Sequence, residues 1–198
     1  DTDLLQDGSN AGDPDDGTNN NARRKNRLQG FEINDDGTKL FAIFHYQDTG
    51  TGKSSRLLEY QLSTAFDLST VSLILDAGID LEVQATNPKG LRFSPDGKRF
   101  WVTDHQNTSS GKDVTQISLA KAYDTSSFTI DGRVYLPDLD SNLDQPRGIA
   151  FSASGLKMYI GDDDNDDIFE FDLVCPFNII EGKCPPVTEN SVRTGIAE

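Results

Sequence analysis

The chain has 198 residues, 35 % of them apolar, with 17 glycines and 8 prolines, a mix that suits an all-β protein rich in turns. Its 33 acidic residues outnumber 18 basic ones and leave a formal charge of −15, which argues against nucleic acid or an anionic membrane surface as partner. No run of 18 apolar residues is present, so no segment enters a bilayer directly as a helix.

The first 29 residues carry no repeat of their own. DTDLLQDG reads as the end of a preceding blade, and GSNAGDPDDGTNNNARRKN after it as a polar loop, with an acidic cluster at Asp13–Asp16. Opening on Asp1 rather than Met, the chain is expected to be processed or cut from something larger.

Three segments then align by eye: GFEINDDGTKLFAIFH from Gly30, GLRFSPDGKRFWVTDH from Gly90 and GIAFSASGLKMYIGDD from Gly148, at steps of 60 and 58 residues. Within them Leu91 and Phe93, or Ile149 and Phe151, alternate with polar neighbours as half-buried strands do. Ser94-Pro95-Asp96-Gly97 is a tight hairpin turn, and Asp35-Asp36-Gly37 and Ala153-Ser154-Gly155 fill the same slot. A variable polar loop and a third strand follow in each copy: LLEYQL, VTQISL and IFEFDL. The tails STAFDLS, AKAYDTS and VCPFNII place Phe66, Tyr123 and Phe177 at one position. Two copies continue to a fourth strand, VSLIL at Val71 and GRVYLP at Gly132. Four antiparallel strands repeated at about sixty residues make a propeller blade. The expected fold is therefore all-β: about three four-stranded antiparallel blades of an incomplete, excerpted β-propeller. Its blades span 30–82, 83–142 and 143–180, the last without its fourth strand, with a tail at 181–198 in which a short helix would be capped at Thr188 or Asn190. Neighbouring blades would come from a longer chain or an oligomer.

The unit PKGLRFSPDGKRFWVTD resembles the repeat of the NHL, YVTN and lactonase-like (TolB-like) propellers, and MYIGDDDNDDIFEFDL resembles the matching stretch of NHL-type repeats. The likeness covers about residues 30–180 and implies fold far more than function, because such blades serve enzymes, receptors and scaffolds alike. Lactonase-like propellers hold Ca²⁺ near the central channel with acidic and Asn side chains; by position the resemblance points to Asn87, Asp104 and Asp144.

Binding on a rigid array usually sits in its variable loops, here those after each second strand and between blades. Superposing the repeats puts His45, His105 and Asp163 at one register, with Asp104 and Asp162 just before the last two. Imidazoles and carboxylates on one face suit a divalent metal or a general base; strand ends also favour polar residues for structural reasons. Alternate carboxylates at Asp162, Asp164 and Asp166, around Asn165, resemble the first ligands of a Ca²⁺ loop without its glycine and closing Glu. Trp101 is expected in the core. Asn107-Thr108-Ser109 is a formal glycosylation sequon. Cys175 and Cys184, the only cysteines, are expected to close a short disulfide loop, which places the protein outside the cell, on its surface or in a periplasm.

No G-x-S-x-G, H-E-x-x-H, Walker A or G-x-G-x-x-G pattern occurs. The reading is a non-catalytic module that contacts protein or glycan through an acidic loop face that includes His45, Asp104, His105, Asp163 and Asn165. The alternative is a fragment of a Ca²⁺-dependent lactonase- or esterase-like hydrolase. The balance leans away from an enzyme, with Ca²⁺ the one candidate cofactor.

Overall fold

A computed structural model of the chain describes residues 26–46, 55–74, 79–81, 85, 87–105, 111–164 and 166–180. Twelve strands occur among them, and no helix beyond two single turns of 3-10 type. Blade one holds β1 (Asn26–Ile33), β2 (Lys39–Tyr46), β3 (Ser55–Leu62), β4 (Val71–Leu73) and β5 (Ile79–Asp80). Blade two holds β6 (Pro88–Phe93), β7 (Arg99–His105), β8 (Lys112–Lys121) and β9 (Asp124–Tyr135). Blade three holds β10 (Pro146–Phe151), β11 (Lys157–Asp162) and β12 (Asp167–Asp172). Every paired neighbour is antiparallel and the order in each sheet follows the chain, with β5 also returning to β3.

Two fourth strands differ from expectation. In blade one VSLIL does not run through: β4 pairs with the end of β3 and β5 with its beginning, as Leu62–Val71 and Leu57–Ile79. In blade two the strand starts eight residues before Gly132, because the β-favouring run TSSFTI extends at once after a tight turn at Lys121–Asp124. At the matching place in blade one Asp67 caps a 3-10 turn over Leu68–Thr70, its Oδ1 accepting from the Ser69 amide at 2.9 Å. Blade three ends in a turn with a lone bridge between Cys175 and Asn178, so its fourth strand is absent among the described residues.

The hairpin turns repeat one hydrogen-bond pattern. Ser94 N donates to the Arg99 carbonyl at 2.9 Å, Gly97 N to the Ser94 carbonyl at 2.8 Å, and Ser94 Oγ accepts from Arg99 N at 3.0 Å. Asn34 and Ser152 do the same in their blades. Gly97 sits at φ +66°, and the amide of Tyr123 donates to its carbonyl at 2.8 Å. Tyr123, Phe66 and Phe177 all adopt positive φ, near 50–60°, where a bulky side chain is strained. Each ring lies against the turn glycine of its own blade, where a glycine Cβ would stand 2.3 Å from ring carbon.

Blades pack through two apolar layers. Phe41, Ile43 and Leu57 of blade one meet Leu91, Phe93, Phe100 and Ile117 of blade two, with Phe41 and Phe93 ring centres 4.4 Å apart. Trp101 and Val114 of blade two meet Ile149, Met158 and Ile160 of blade three, with Trp101 4.2 Å from Phe151. The first strands β1, β6 and β10 lie side by side, and each bulges at the repeat's leading glycine region. There Gly90 has no room for a side chain, since a Cβ would stand 2.4 Å from the Arg147 carbonyl of the next blade. Inner strands converging on one line, with sheets fanning away from it, is propeller geometry.

Candidate functional site

The rim opposite the hairpin turns holds the ends of β2, β7 and β11 and the connections between blades. The expected register is present: Leu28 pairs with Phe44, Pro88 with Asp104 and Pro146 with Asp162, so the residues after them, His45, His105 and Asp163, stand at equivalent strand ends.

Asp104 and Asp162 perform the same task in two blades. Both are buried, and both carboxylates accept from main-chain amides of the incoming connection. Asp104 Oδ1 accepts from Asn87 N at 2.7 Å, and Asp162 Oδ2 from Asp144 N at 2.9 Å and Gln145 N at 2.6 Å. One residue further on, the amides of His105 and Asp163 donate to the carbonyls of Asn87 and Gln145, both at 3.0 Å. A carboxylate that accepts main-chain amides fixes the backbone around it. These two aspartates clamp each inter-blade connection to the next sheet. Blade one has Phe44 at that position and no such clamp.

The remaining expected residues fall in three groups. His45 and His105 are buried, one in each of two neighbouring blades, and His45 Nδ1 lies 3.2 Å from Ser55 Oγ. Asp163 and Asp164 are exposed: Asp163 pairs with Arg147 Nη2 at 2.5 Å, and Asp164 Oδ1 accepts from Gln145 Nε2 at 3.2 Å. Asp166 carries the positive φ (52°) that turns the chain into β12. Asp162 Oδ1 also accepts from Asp164 N at 3.0 Å, so the carboxylate proposed to open a Ca²⁺ loop already holds three amides. Of the lactonase-like set, Asn87 and Asp104 are joined as described and Asp144 forms an ion pair with Lys112. Among the described residues, no group of three or more His, Cys, Asp or Glu is placed to hold a metal ion. Asn165, Asp13–Asp16, the Asn107 sequon and Cys184 lie outside the described residues. Cys175 is buried, and no described cysteine is a free thiol.

Sequence reasoning passed over Asp113, the directly paired cross-strand neighbour of Asp104. Its Oδ2 accepts from Arg133 Nη1 at 3.2 Å, while its buried Oδ1 has no hydrogen-bond partner. Burial, with the Asp104 carboxylate adding to it, pushes the Asp113 carboxyl up from 3.8 to about 6 against the pull of Arg133. The hairpin register carried the signal, because like charges directly opposite on paired strands repel. A raised folded-state pKa means the native chain binds the proton more tightly than the unfolded one. That contribution is therefore complete below about pH 4 and is lost as pH rises through 6. Asp113→Asn is expected to stabilise the protein by about 2 kcal/mol at pH 7.5, and the gap should close towards pH 4. Urea melts of both proteins across that range check it; a constant gap would contradict it.

Along the inner strands runs a groove lined by Gln29, Lys89, Gly90, Arg147 and Gly148. In this acidic chain its two charged lining residues, Lys89 and Arg147, are both basic. Lys89 Nζ donates to Gln29 Oε1 at 2.9 Å, bridging first and second blades.

Fold and rim together define an incomplete β-propeller, three adjacent blades with their inter-blade connections clamped on one face. No protein-family model matches the chain, and no curated protein does. Among solved structures it is similar to a 6-phosphogluconolactonase-like protein from Bacteroides uniformis, at 10 % identity and TM-score 0.46, covering 76 % of this chain and 52 % of that one. It is also similar to hydrazine synthase of Kuenenia stuttgartiensis, at 12 % identity and TM-score 0.49 over 75 % and 46 % of the two chains. A third is the β-propeller domain of Cps50 from Myceliophteria thermophila, at 14 % identity and TM-score 0.41 over 80 % and 43 %. The chain thus spans about half the length of the solved structures it matches. No described helix is long and apolar enough to cross a membrane.

Proposed function

We propose that this chain is a non-catalytic interaction module of an exported or cell-surface protein, and that it contacts a protein or glycan through its acidic loop face. The observation that carries this reading is the paired clamp at Asp104 and Asp162. Asp104, a carboxylate that a hydrolase of this fold would offer to a metal, instead holds an inter-blade connection in place, as Asp162 does in the next blade. A rigid rim with exposed Asp163 and Asp164 and half-buried Arg147 at its edge is suited to recognition. Export is supported by Cys175, which is buried and is not a free thiol. Calcium belongs to this reading as a bridge from the exposed carboxylates to a ligand.

The test is a glycan and protein array probed with and without millimolar Ca²⁺, beside a lactone and ester hydrolysis assay on the same unreduced protein. Binding that Asp163→Ala and Arg147→Ala weaken, with melting temperature unchanged, is the expected result. Calcium that bridges to the chain should also raise its melting temperature by mass action. Metal-dependent turnover abolished by Asp104→Asn would replace the proposal with the hydrolase. Recovery of Cys175 as a free thiol from native material would remove the argument for export.

A further inference from the structure

The chain makes one inter-blade contact twice. In the first instance Lys39 Nζ donates to the Tyr123 carbonyl at 2.6 Å, and Glu59 Oε2 accepts from the Thr125 amide at 2.9 Å. Phe41 packs against Phe93 and stacks on Tyr123. In the second, Arg99 Nη1 donates to the Phe177 carbonyl at 3.0 Å, Gln116 Oε1 accepts from the Ile179 amide at 3.0 Å, and Trp101 packs on Phe151 and Phe177. Each contact joins a basic residue, an aromatic and a side-chain acceptor on one blade to a left-handed aromatic of the next blade and the amide two residues after it.

Blade three carries the first half of this contact a third time. By register, Lys157, Tyr159 and Glu170 are the counterparts of Lys39, Phe41 and Glu59. Nothing described stands across from them. Lys157 turns instead to Glu170 and Asp172 of its own sheet. Ile168 is 71 % exposed, whereas its counterparts Leu57 and Val114 are fully buried. Gly148 has nothing within 4 Å of its Cβ direction, whereas Gly30 and Gly90 each meet the carbonyl of a following blade there.

Blade one carries the second half. Phe66 and Leu68 stand where Tyr123 and Thr125, or Phe177 and Ile179, stand in the other blades. They are 63 % and 44 % exposed, although Thr125 and Ile179 are buried. Phe31, at the place of the buried Leu91, is also 63 % exposed.

We propose that these two ends are halves of one heterologous interface, and that blade one of a second copy of this chain seats on the open face of blade three. Lys157 then donates to the partner Phe66 carbonyl and Glu170 accepts from the partner Leu68 amide, while Tyr159 packs under Phe66 and Ile168 loses its exposure. A contact of this head-to-tail kind closes into a ring when its rotation permits. The inference is independent of what the loop face binds.

Sedimentation of the whole chain over a dilution series tests it. The wild type should associate. Ile168→Glu on one end and Leu68→Glu on the other should each weaken self-association about tenfold or more, as central interface residues do, with unchanged circular dichroism. Because the halves differ, mixing the two variants leaves one intact pair of ends, and the mixture should form a heterodimer. A monomeric wild type at every concentration overturns the proposal, as does a mixture that stays monomeric; a longer polypeptide supplying the next blade within itself would produce the first of these.

Discussion

Replacing Gly97 with alanine is expected to destabilise the protein by about 2–4 kcal/mol, the sum of a left-handed backbone penalty and a steric clash. The backbone there stands at φ +66°, and the new Cβ would lie 2.3 Å from the ring of Tyr123. The ring cannot swing away cheaply, since the Tyr123 amide is bonded to the Gly97 carbonyl and the ring also packs on Phe93. Tyr123→Gly removes the clash and suits the positive φ at that residue. Gly97→Ala made in that background should cost only about 1–2 kcal/mol, the backbone part alone. Thermal melts of the four proteins give the coupling, and strictly additive losses would show that the ring is not the obstacle.

Trp101→Ala should be comparably severe, at about 3–5 kcal/mol. The side chain is fully buried between the second and third blades, against Phe151 and Phe177. Its indole N–H donates at 3.1 Å to Gln116 Oε1, the same oxygen that accepts from the Ile179 amide. The cavity would open at the joint between blades rather than inside one sheet. Hydrogen exchange should therefore rise first across β10–β12, with the joint between blades one and two less affected. Uniform loss of protection would mean that the three blades unfold as a single unit. Trp101→Phe keeps most of the volume and leaves Gln116 bonded to Ile179, so its cost should stay near 1–2 kcal/mol.

Much of this architecture is legible in the residues alone, because a blade is made of local events. Period-two alternation and the Pro-Asp-Gly turn report on neighbours within one hairpin, the sixty-residue spacing repeats that hairpin from blade to blade, and every first, second and third strand appears where that pattern puts it. The fourth strands are less regular because nothing local sets them. Whether TSSFTI extends or LST coils depends on a balance between β-favouring residues and an Asp cap, which the shared tail pattern does not reveal.

The rim shows the same division. Repeat alignment alone puts His45, His105 and Asp163 at one register, since strand pairing carries position from blade to blade. What those positions do is decided by contacts between residues 17 or 18 apart, such as Asp104 with Asn87 and Asp162 with Gln145. An aspartate that clamps a connection and one that awaits a ligand look alike in a sequence; only the amides converging on the carboxylate distinguish them. The raised Asp113 carboxyl is likewise a product of burial, with the like charge of Asp104 across the strand pair adding to it. The sequence by itself therefore determined the repeat, the blade and its turns, where interactions reach only a few residues. Tertiary structure decided the joints, the clamps and the two unmatched ends, because those depend on which surfaces the packed blades leave facing one another.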